Sequence, residues 1–334
     1  MLPKHPGDPP RDLSRPLQRV RFLVDAKLDG QRLDVVLSAV LSWRSRTSVH
    51  RLIGAGRVLL EGRRATPSRR IRAGETITVE VPPRPRPLPE SLDEIELPIL
   101  YEDRWMLAID KPAGLAVHPA GRRLDGTLIH VLHRRYRRVD DPEHDVVPRL
   151  LHRIDVETSG VVAVGLDEEF QHAVARQFED RLVEKTYLAV VHGRPEPPAG
   201  RIDLAIGPDR ASPVRLKQAP DPEGLPASTI YTTVKTRGRF SLVELRPRTG
   251  RTHQLRVHMA AIGCPLVGDK LYGGNEDIFL AKLRGELDRE ARERLVIDRH
   301  ALHASRLCFF HPMLKREMRI EAPLPACMAG LVSE

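Results

Sequence analysis

The run His152-Arg153-Ile154-Asp155-Val156-Glu157-Thr158-Ser159-Gly160 sets one carboxylate between an arginine and a turn-forming Thr-Ser-Gly, with the apolar run Val161-Val162-Ala163-Val164 directly after it. A carboxylate beside a fixed cation keeps a low pKa and stays ionised. In that form Asp155 can act as a nucleophile or a base without a metal. The plainer reading of the same residues is an aspartate that caps a turn and pairs with Arg153, the usual role of Asp near Gly. Local chemistry alone leaves both readings open.

Further strings flank it in order. Asp110-Lys111-Pro112-Ala113-Gly114-Leu115-Ala116-Val117-His118-Pro119 lies upstream, and Glu184-Lys185-Thr186-Tyr187-Leu188-Ala189 follows. Then come Arg248-Thr249-Gly250-Arg251-Thr252-His253-Gln254-Leu255-Arg256-Val257-His258, Leu266-Val267-Gly268-Asp269-Lys270-Leu271-Tyr272-Gly273-Gly274 and Leu302-His303-Ala304. Together with 152–160, these segments resemble the motifs of the RluA-type pseudouridine synthases, whose signature reads H-R-L-D-x-x-T-S-G. Ile154 replaces the usual Leu, an apolar exchange that leaves the charged and turn positions intact. The resemblance covers residues from about 98 to 326.

The resemblance implies an isomerase that breaks the nitrogen–carbon glycosidic bond of a uridine, rotates the uracil and rejoins it through carbon five. Nothing leaves and no electron is transferred, so no redox cofactor and no metal is called for. Asp155 would be the catalytic carboxylate, with Arg251 its ion-pair partner and Tyr187 packing on the uracil, its hydroxyl placed to relay the carbon-five proton. Arg153 would fill the gap left by an extruded base, with His152 and Lys185 also at the RNA. The everted base must leave its stack, at a cost of about a few kcal/mol.

His152, His253 and His258 invite a metal reading. HExxH and Cys/His spacings are absent, and His253 and His258 are off the one-turn spacing of helical ligands. They read as hydrogen-bonding scaffold. The glycines from Gly268 to Gly274 lack GxxxxGK[ST], and GxSxG is absent, so phosphate-loop and serine-hydrolase chemistry have no support.

These residues need a frame. The chain has 334 residues, enough for two domains. Lys and Arg outnumber Asp and Glu by 54 to 45, and residues 1–86 hold 18 of the former against 8 of the latter, so the whole surplus sits in the first quarter. A basic segment of this kind points to a polyanionic partner, RNA or DNA, or else to a solubilising arm. Cys264, Cys308 and Cys327 are far apart, which argues against a disulfide framework and suits a reducing cytoplasm. With no signal-like N-terminus and no long apolar run, a cytoplasmic protein off the membrane is expected, as a monomer.

Residues 1–18 are Pro-rich and polar, and a disordered tail is expected. Residues 19–81 read as a small domain. Arg32 to Leu37 and the stretch from Ser45 to Gly54 have helical spacing, while Val58-Leu59-Leu60 and Thr76 to Val81 read as strands. The order resembles the S-four type RNA-binding domain (R-L-D, then S-R, then I-x-x-G-x-V, then a late A-G-E turn). Arg32, Arg44, Arg46, Arg51 and Arg57 would contact phosphates, a salt-sensitive and weakly sequence-specific mode. Trp43 reads as core more than as a stacking platform.

Residues 82–97 form a Pro-dense linker with semi-rigid extended geometry. Residues 98–330 then alternate short β-rich runs with occasional helices. Phe170, Ala173, Val174 and Phe178 mark one helical face, and Leu255, Met259 and Ile262 another, stopped at Gly263. The run from Arg134 to Arg138 is expected to border the RNA cleft. Overall the fold class is α+β, and the resemblance implies a curved, mostly antiparallel mixed sheet with flanking helices. RNA is the expected partner, ribosomal large-subunit RNA first by resemblance to the RluC/RluD-like subfamily, with transfer RNA as the alternative. A non-catalytic RNA-binding ribosome-assembly factor on the same fold is the rival from another class.

Overall fold

A computed structural model of the chain describes residue 12 and residues 19–41, 46–81, 94–119, 126–141, 143–274 and 276–333. The expected tail (apart from residue 12), Trp43, Arg44 and most of the Pro-dense linker lie outside the described residues. The chain divides into two compact units, 1–95 with 118–147, and 96–117 with 148–334.

In the first unit, β1 (Arg19–Leu23), β2 (Val58–Leu60), β3 (Arg63–Arg64) and β4 (Thr76–Glu80) form an antiparallel sheet in the order β1-β4-β2-β3. Alternation puts Val20 and Phe22 of β1 and Ile77 and Val79 of β4 on one buried face. Helices α1 (Leu33–Val40) and α2 (Arg46–Gly54) cover that face through Leu33, Val36, Leu37, Val49, Leu52 and Ile53. A third helix, α3 (Leu128–Tyr136), belongs to the same unit.

The α1–α2 pair closes over a buried carboxylate. Arg32 Nε and Nη2 donate to Asp34 at 3.0 and 3.2 Å, Arg46 Nη2 adds a 3.2 Å bond, and His50 Nε2 lies 3.0 Å away. These bonds, led by Arg32, hold the Asp34 carboxyl far below its ordinary range. Two of the arginines expected on phosphates are therefore also fasteners of their own domain. Arg51 and Arg57 make no side-chain hydrogen bond or ion pair with a described residue.

In the second unit, β5 (Ile99–Glu102), β6 (Met106–Lys111), β8 (Ser159–Gly165), β9 (Glu184–His192), β10 (Ala199–Asp203), β13 (Ser228–Arg237), β14 (Phe240–Pro247) and β15 (Leu302–His311) run in the order β10-β13-β14-β9-β15-β8-β6-β5. Two further strands join this sheet: β7 (Arg149–Leu150) pairs with β8, and β16 (Arg316–Glu321) with β15. A separate hairpin is made by β11 (Ile206–Pro208) and β12 (Gln218–Pro220). All pairings in the large sheet are antiparallel except β15 with β8.

The strand β8 is buried along its whole length, as an uninterrupted small and apolar run requires. Helix α4 (Glu168–Glu179) packs Phe170, Val174 and Phe178 against one face of the sheet. Tyr187, Ala189 and Val191 of β9 meet Leu255 and Met259 of α5 (Gln254–Ala261) and Ile262 just past its end. Both predicted helical faces are present. The remaining helices are α6 (Asp277–Arg284), α7 (Arg289–Leu295) and α8 (Ala326–Ala329).

One backbone contact fixes the middle of the sheet. Gly160 has φ of +110°, and a Cβ there would stand 2.2 Å from the Ala304 carbonyl oxygen. Only glycine lets β8 and β15 pair this closely. In register, Gly160 faces Ala304, which faces Tyr187 on β9. Two strand spacings, about 10 Å, therefore separate the backbone of Tyr187 from the strand that Asp155 leads into.

Candidate active site

Asp155 opens the turn into β8, its carbonyl accepting the Thr158 amide at 3.1 Å. The Asp-Lys-Pro segment braces one flank of that turn. The Val156 carbonyl takes the Gly114 amide at 2.8 Å and the buried Lys111 ammonium at 3.2 Å, and Lys111 also serves the Pro112 and Leu115 carbonyls, both at 2.8 Å. Residues 299–303 brace the other. Arg299 Nη1 donates to the Glu157 carbonyl at 3.1 Å and to Ser159 Oγ at 2.8 Å, while His300 Nε2 meets Thr158 Oγ1 at 2.8 Å. Glu157 adds a third anchor, accepting from Lys270 at 2.9 Å and Lys282 at 2.6 Å. Burial alone would raise its pKa, but the two ammonium groups outweigh it and bring it down to about 2.

The guanidinium that reaches Asp155 belongs to Arg256. Its Nη1 lies 3.2 Å from Asp155 Oδ2, and its Nε and Nη2 grip Asp269 at 2.7 and 2.9 Å. A planar fork of five donors can serve two carboxylates at once. Burial pushes the Asp155 carboxyl up, but the charge of Arg256 prevails and holds it below its ordinary value. Asp269 is fully buried and is held low in the same way, with the Leu271 and Tyr272 amides also donating to it.

Arg251, expected as the partner of Asp155, is placed otherwise. It precedes α5, its Nε donates to the Pro226 carbonyl at 3.1 Å, and its amide is fixed by the Gln254 side chain. The helix that begins after it carries Arg256 inward, where only 9% of the side chain is exposed.

Tyr187 is gathered to the same centre. Burial and then the Asp155 charge push its hydroxyl well above the usual tyrosine value, so it is a neutral phenol. Lys185 projects from the same face of β9, and a Cβ on Gly250 would lie 3.8 Å from its Nζ. It makes no hydrogen bond or ion pair with a described residue, and burial lowers its pKa. Arg153 is exposed and likewise without such a bond among the described residues.

His152 is scaffold. Its ring stacks on Phe178 at 5.2 Å, and its Nε2 accepts the Ala163 amide at 3.1 Å. An accepting nitrogen requires a neutral ring, and burial together with the charge of Lys185 lowers its pKa to about 3. His258 is scaffold too, bonded to Thr229 Oγ1 and to the Leu204 carbonyl. Among the described residues, no group of three His, Cys, Asp or Glu is arranged to hold a metal, and no helix is long and apolar enough to cross a membrane.

Motif reading passed over Arg256, Asp269, Glu157, His300 and Tyr272 as functional groups. Arg256 carried a usable signal: an arginine between Leu255 and Val257, on a helix whose neighbours are buried, must have a buried acidic partner. Asp269 in its Gly-Asp-Lys turn is that partner.

Similarity to known proteins gives the family. The family described as RNA pseudouridylate synthase matches residues 106–261, and the S4 domain matches residues 31–77. A protein named ribosomal large subunit pseudouridine synthase D from Xanthomonas campestris pv. campestris is 40% identical over 91% of this chain and 88% of its own length. RNA pseudouridine synthase 2, chloroplastic, from Arabidopsis thaliana is 31% identical over 94% of this chain and 82% of its own. The solved structure titled human RNA pseudouridylate synthase domain containing 4 superposes with a TM-score of 0.53 at 28% identity, covering 72% of this chain and 92% of that one. The chain belongs to the RNA pseudouridine synthase family. It is an isomerase that converts uridine in RNA to pseudouridine and carries an S4 domain ahead of its catalytic part.

Proposed function

We propose that the chain modifies uridines of large-subunit ribosomal RNA in the cytoplasm, with Asp155 as the catalytic carboxylate. The observation that carries the site assignment is the Asp155–Arg256–Asp269 array beside Tyr187. Arg256 keeps Asp155 ionised, the form needed whether the carboxylate bonds to a carbon or takes a sugar proton. About a third of the Asp155 side chain is exposed, which leaves it open to a nucleotide swung out of its stack.

Tyr187 offers an uncharged aromatic face for the detached uracil. Arg153, exposed and unpaired among the described residues, suits the space an everted base vacates, and Lys185 suits a neighbouring phosphate. Arg251 fixes the N-terminus of α5 through its amide hydrogen bond to the Gln254 side chain. In the S4 domain, Arg51 and Arg57 are uncommitted cations suited to phosphate contacts, with Arg32 and Arg46 sharing theirs with Asp34. The choice of ribosomal RNA rests on the relatives named for that substrate.

The test is tritium release from transcripts labelled at carbon five of uridine. A large-subunit ribosomal transcript should release tritium and a transfer-RNA pool should not. The reverse preference would overturn the substrate assignment.

A further inference from the structure

The ring of His253 is fixed by a chain of hydrogen bonds that the proposed chemistry has not used. The Gln218 amide of β12 donates to Tyr272 Oη at 2.9 Å, and the same oxygen lies 2.9 Å from His253 Nδ1. Tyr272 Oη accepts from Gln218 and keeps one proton to give; assigning that proton to His253 Nδ1 leaves the ring's own hydrogen on Nε2. That Nε2–H has no partner among the described residues. Burial and then the nearby Arg256 charge lower the ring's pKa to about 4, so it is neutral at physiological pH.

The arrangement is braced on all sides. His253 takes a left-handed backbone, φ +56°, at the head of α5, and its ring stands at 80° to Tyr272 with centroids 5.6 Å apart. The Arg256 guanidinium sits 4.9 Å over the face of Tyr272 while holding Asp155. The β11–β12 hairpin that supplies Gln218 is latched by Lys217 to Glu276 at 3.0 Å and by Ser212 to Glu276 at 2.6 Å. The imidazole is close enough to Asp155 to feel the carboxylate's charge. Ring geometry directs Nε2 away from Tyr272.

We infer that the His253 Nε2–H is a substrate-contacting donor that hydrogen-bonds a carbonyl oxygen of the everted uracil. This rests on the reading of Asp155 as the reaction centre. When the bond between N1 and C1′ breaks, its electron pair goes to the uracil, and the charge spreads onto the two carbonyl oxygens. A donor already oriented there stabilises the developing charge without reorganisation. A neutral donor also leaves Asp155 paired with Arg256 alone. Tyr272 is a positioning residue, acting by fixing the tautomer of His253.

The experiment measures single-turnover tritium release and RNA affinity on the labelled large-subunit ribosomal transcript. Asparagine tolerates the left-handed backbone but is too short to reach, whereas glutamine carries an amide N–H to nearly the position of Nε2. His253→Asn should slow release about a hundredfold with affinity changed by less than about threefold. His253→Gln should regain at least about tenfold of that loss, and Tyr272→Phe should slow release by about tenfold. Release at the wild-type rate in His253→Asn, or a Gln variant no faster than the Asn one, overturns the inference alone. A wild-type chain that releases no tritium from any RNA overturns it together with the reading it rests on.

Discussion

Arg256 Nη1 lies 3.2 Å from Asp155 Oδ2 while the rest of the same guanidinium is spent on Asp269. The ionisation of the candidate catalytic carboxylate thus depends on a cation that a second, fully buried carboxylate holds in place. Replacing Arg256 with Gln removes the charge and leaves burial to act on Asp155 unopposed, which raises its pKa. In the wild type the carboxyl titrates below its ordinary value of 3.8, so the rate should be flat above about pH 5. In Arg256→Gln the acid limb should move to higher pH, with the rate at pH 7 down by about a hundredfold. A pH–rate profile under single-turnover conditions checks this.

Glu157 ties the active-site turn to two lysines, and its effect belongs to stability. Its folded pKa, about 2, lies below the ordinary 4.5. The stabilisation is therefore complete above the unfolded value and is lost as pH falls from about 4.5 toward 2. The shift corresponds to about 3 kcal/mol. Denaturant melts of Glu157→Gln should show a deficit of this order at pH 7, shrinking as both proteins are acidified below pH 4.5.

Gly160 cannot carry a side chain. Alanine there would drive its Cβ into the Ala304 backbone in a conformation L residues rarely adopt. Gly160→Ala should lose about 3 kcal/mol or more, read as an early thermal melt or failure to fold. A neighbouring change such as Val162→Ala, deep in the same strand, should leave a soluble folded chain with an ordinary cavity cost of about 1–2 kcal/mol.

Arg51 on α2 and Arg57 just before β2 are cations whose side chains make no hydrogen bond or ion pair with a described residue. Converting both to Ser should weaken binding to large-subunit transcript across sequences and flatten the logarithmic salt dependence by about two phosphate contacts. Filter binding at several salt concentrations measures it, and the rate of bound RNA conversion should stay unchanged.

Sequence and structure part company at definite places. The chemistry-bearing turn was legible in its motif, and the helical faces of α4 and α5 and the strands β2 and β4 in their apolar spacing, which reports burial directly. β1 is a short strand in which Arg19-Val20-Arg21-Phe22 alternates cleanly, but it follows directly on a basic, Pro-rich stretch with no apolar period of its own. The motif alone does not separate Arg251 from Arg256 as the partner of Asp155. Which arginine turns inward is decided by the helix phase, and that phase depends on where α5 begins. The Glu157–Lys270–Lys282 and Gln218–Tyr272–His253 links join residues over fifty positions apart in most cases, so no local pattern announces them.

The central claim is that an ionised Asp155 performs the isomerisation. Its most direct test is tritium release and pseudouridine formation on a labelled large-subunit ribosomal transcript by wild-type protein and by Asp155→Asn, with RNA affinity measured in parallel. The account predicts pseudouridine from the wild type, none from the variant, and affinities within about threefold of each other. Normal turnover by Asp155→Asn would contradict it.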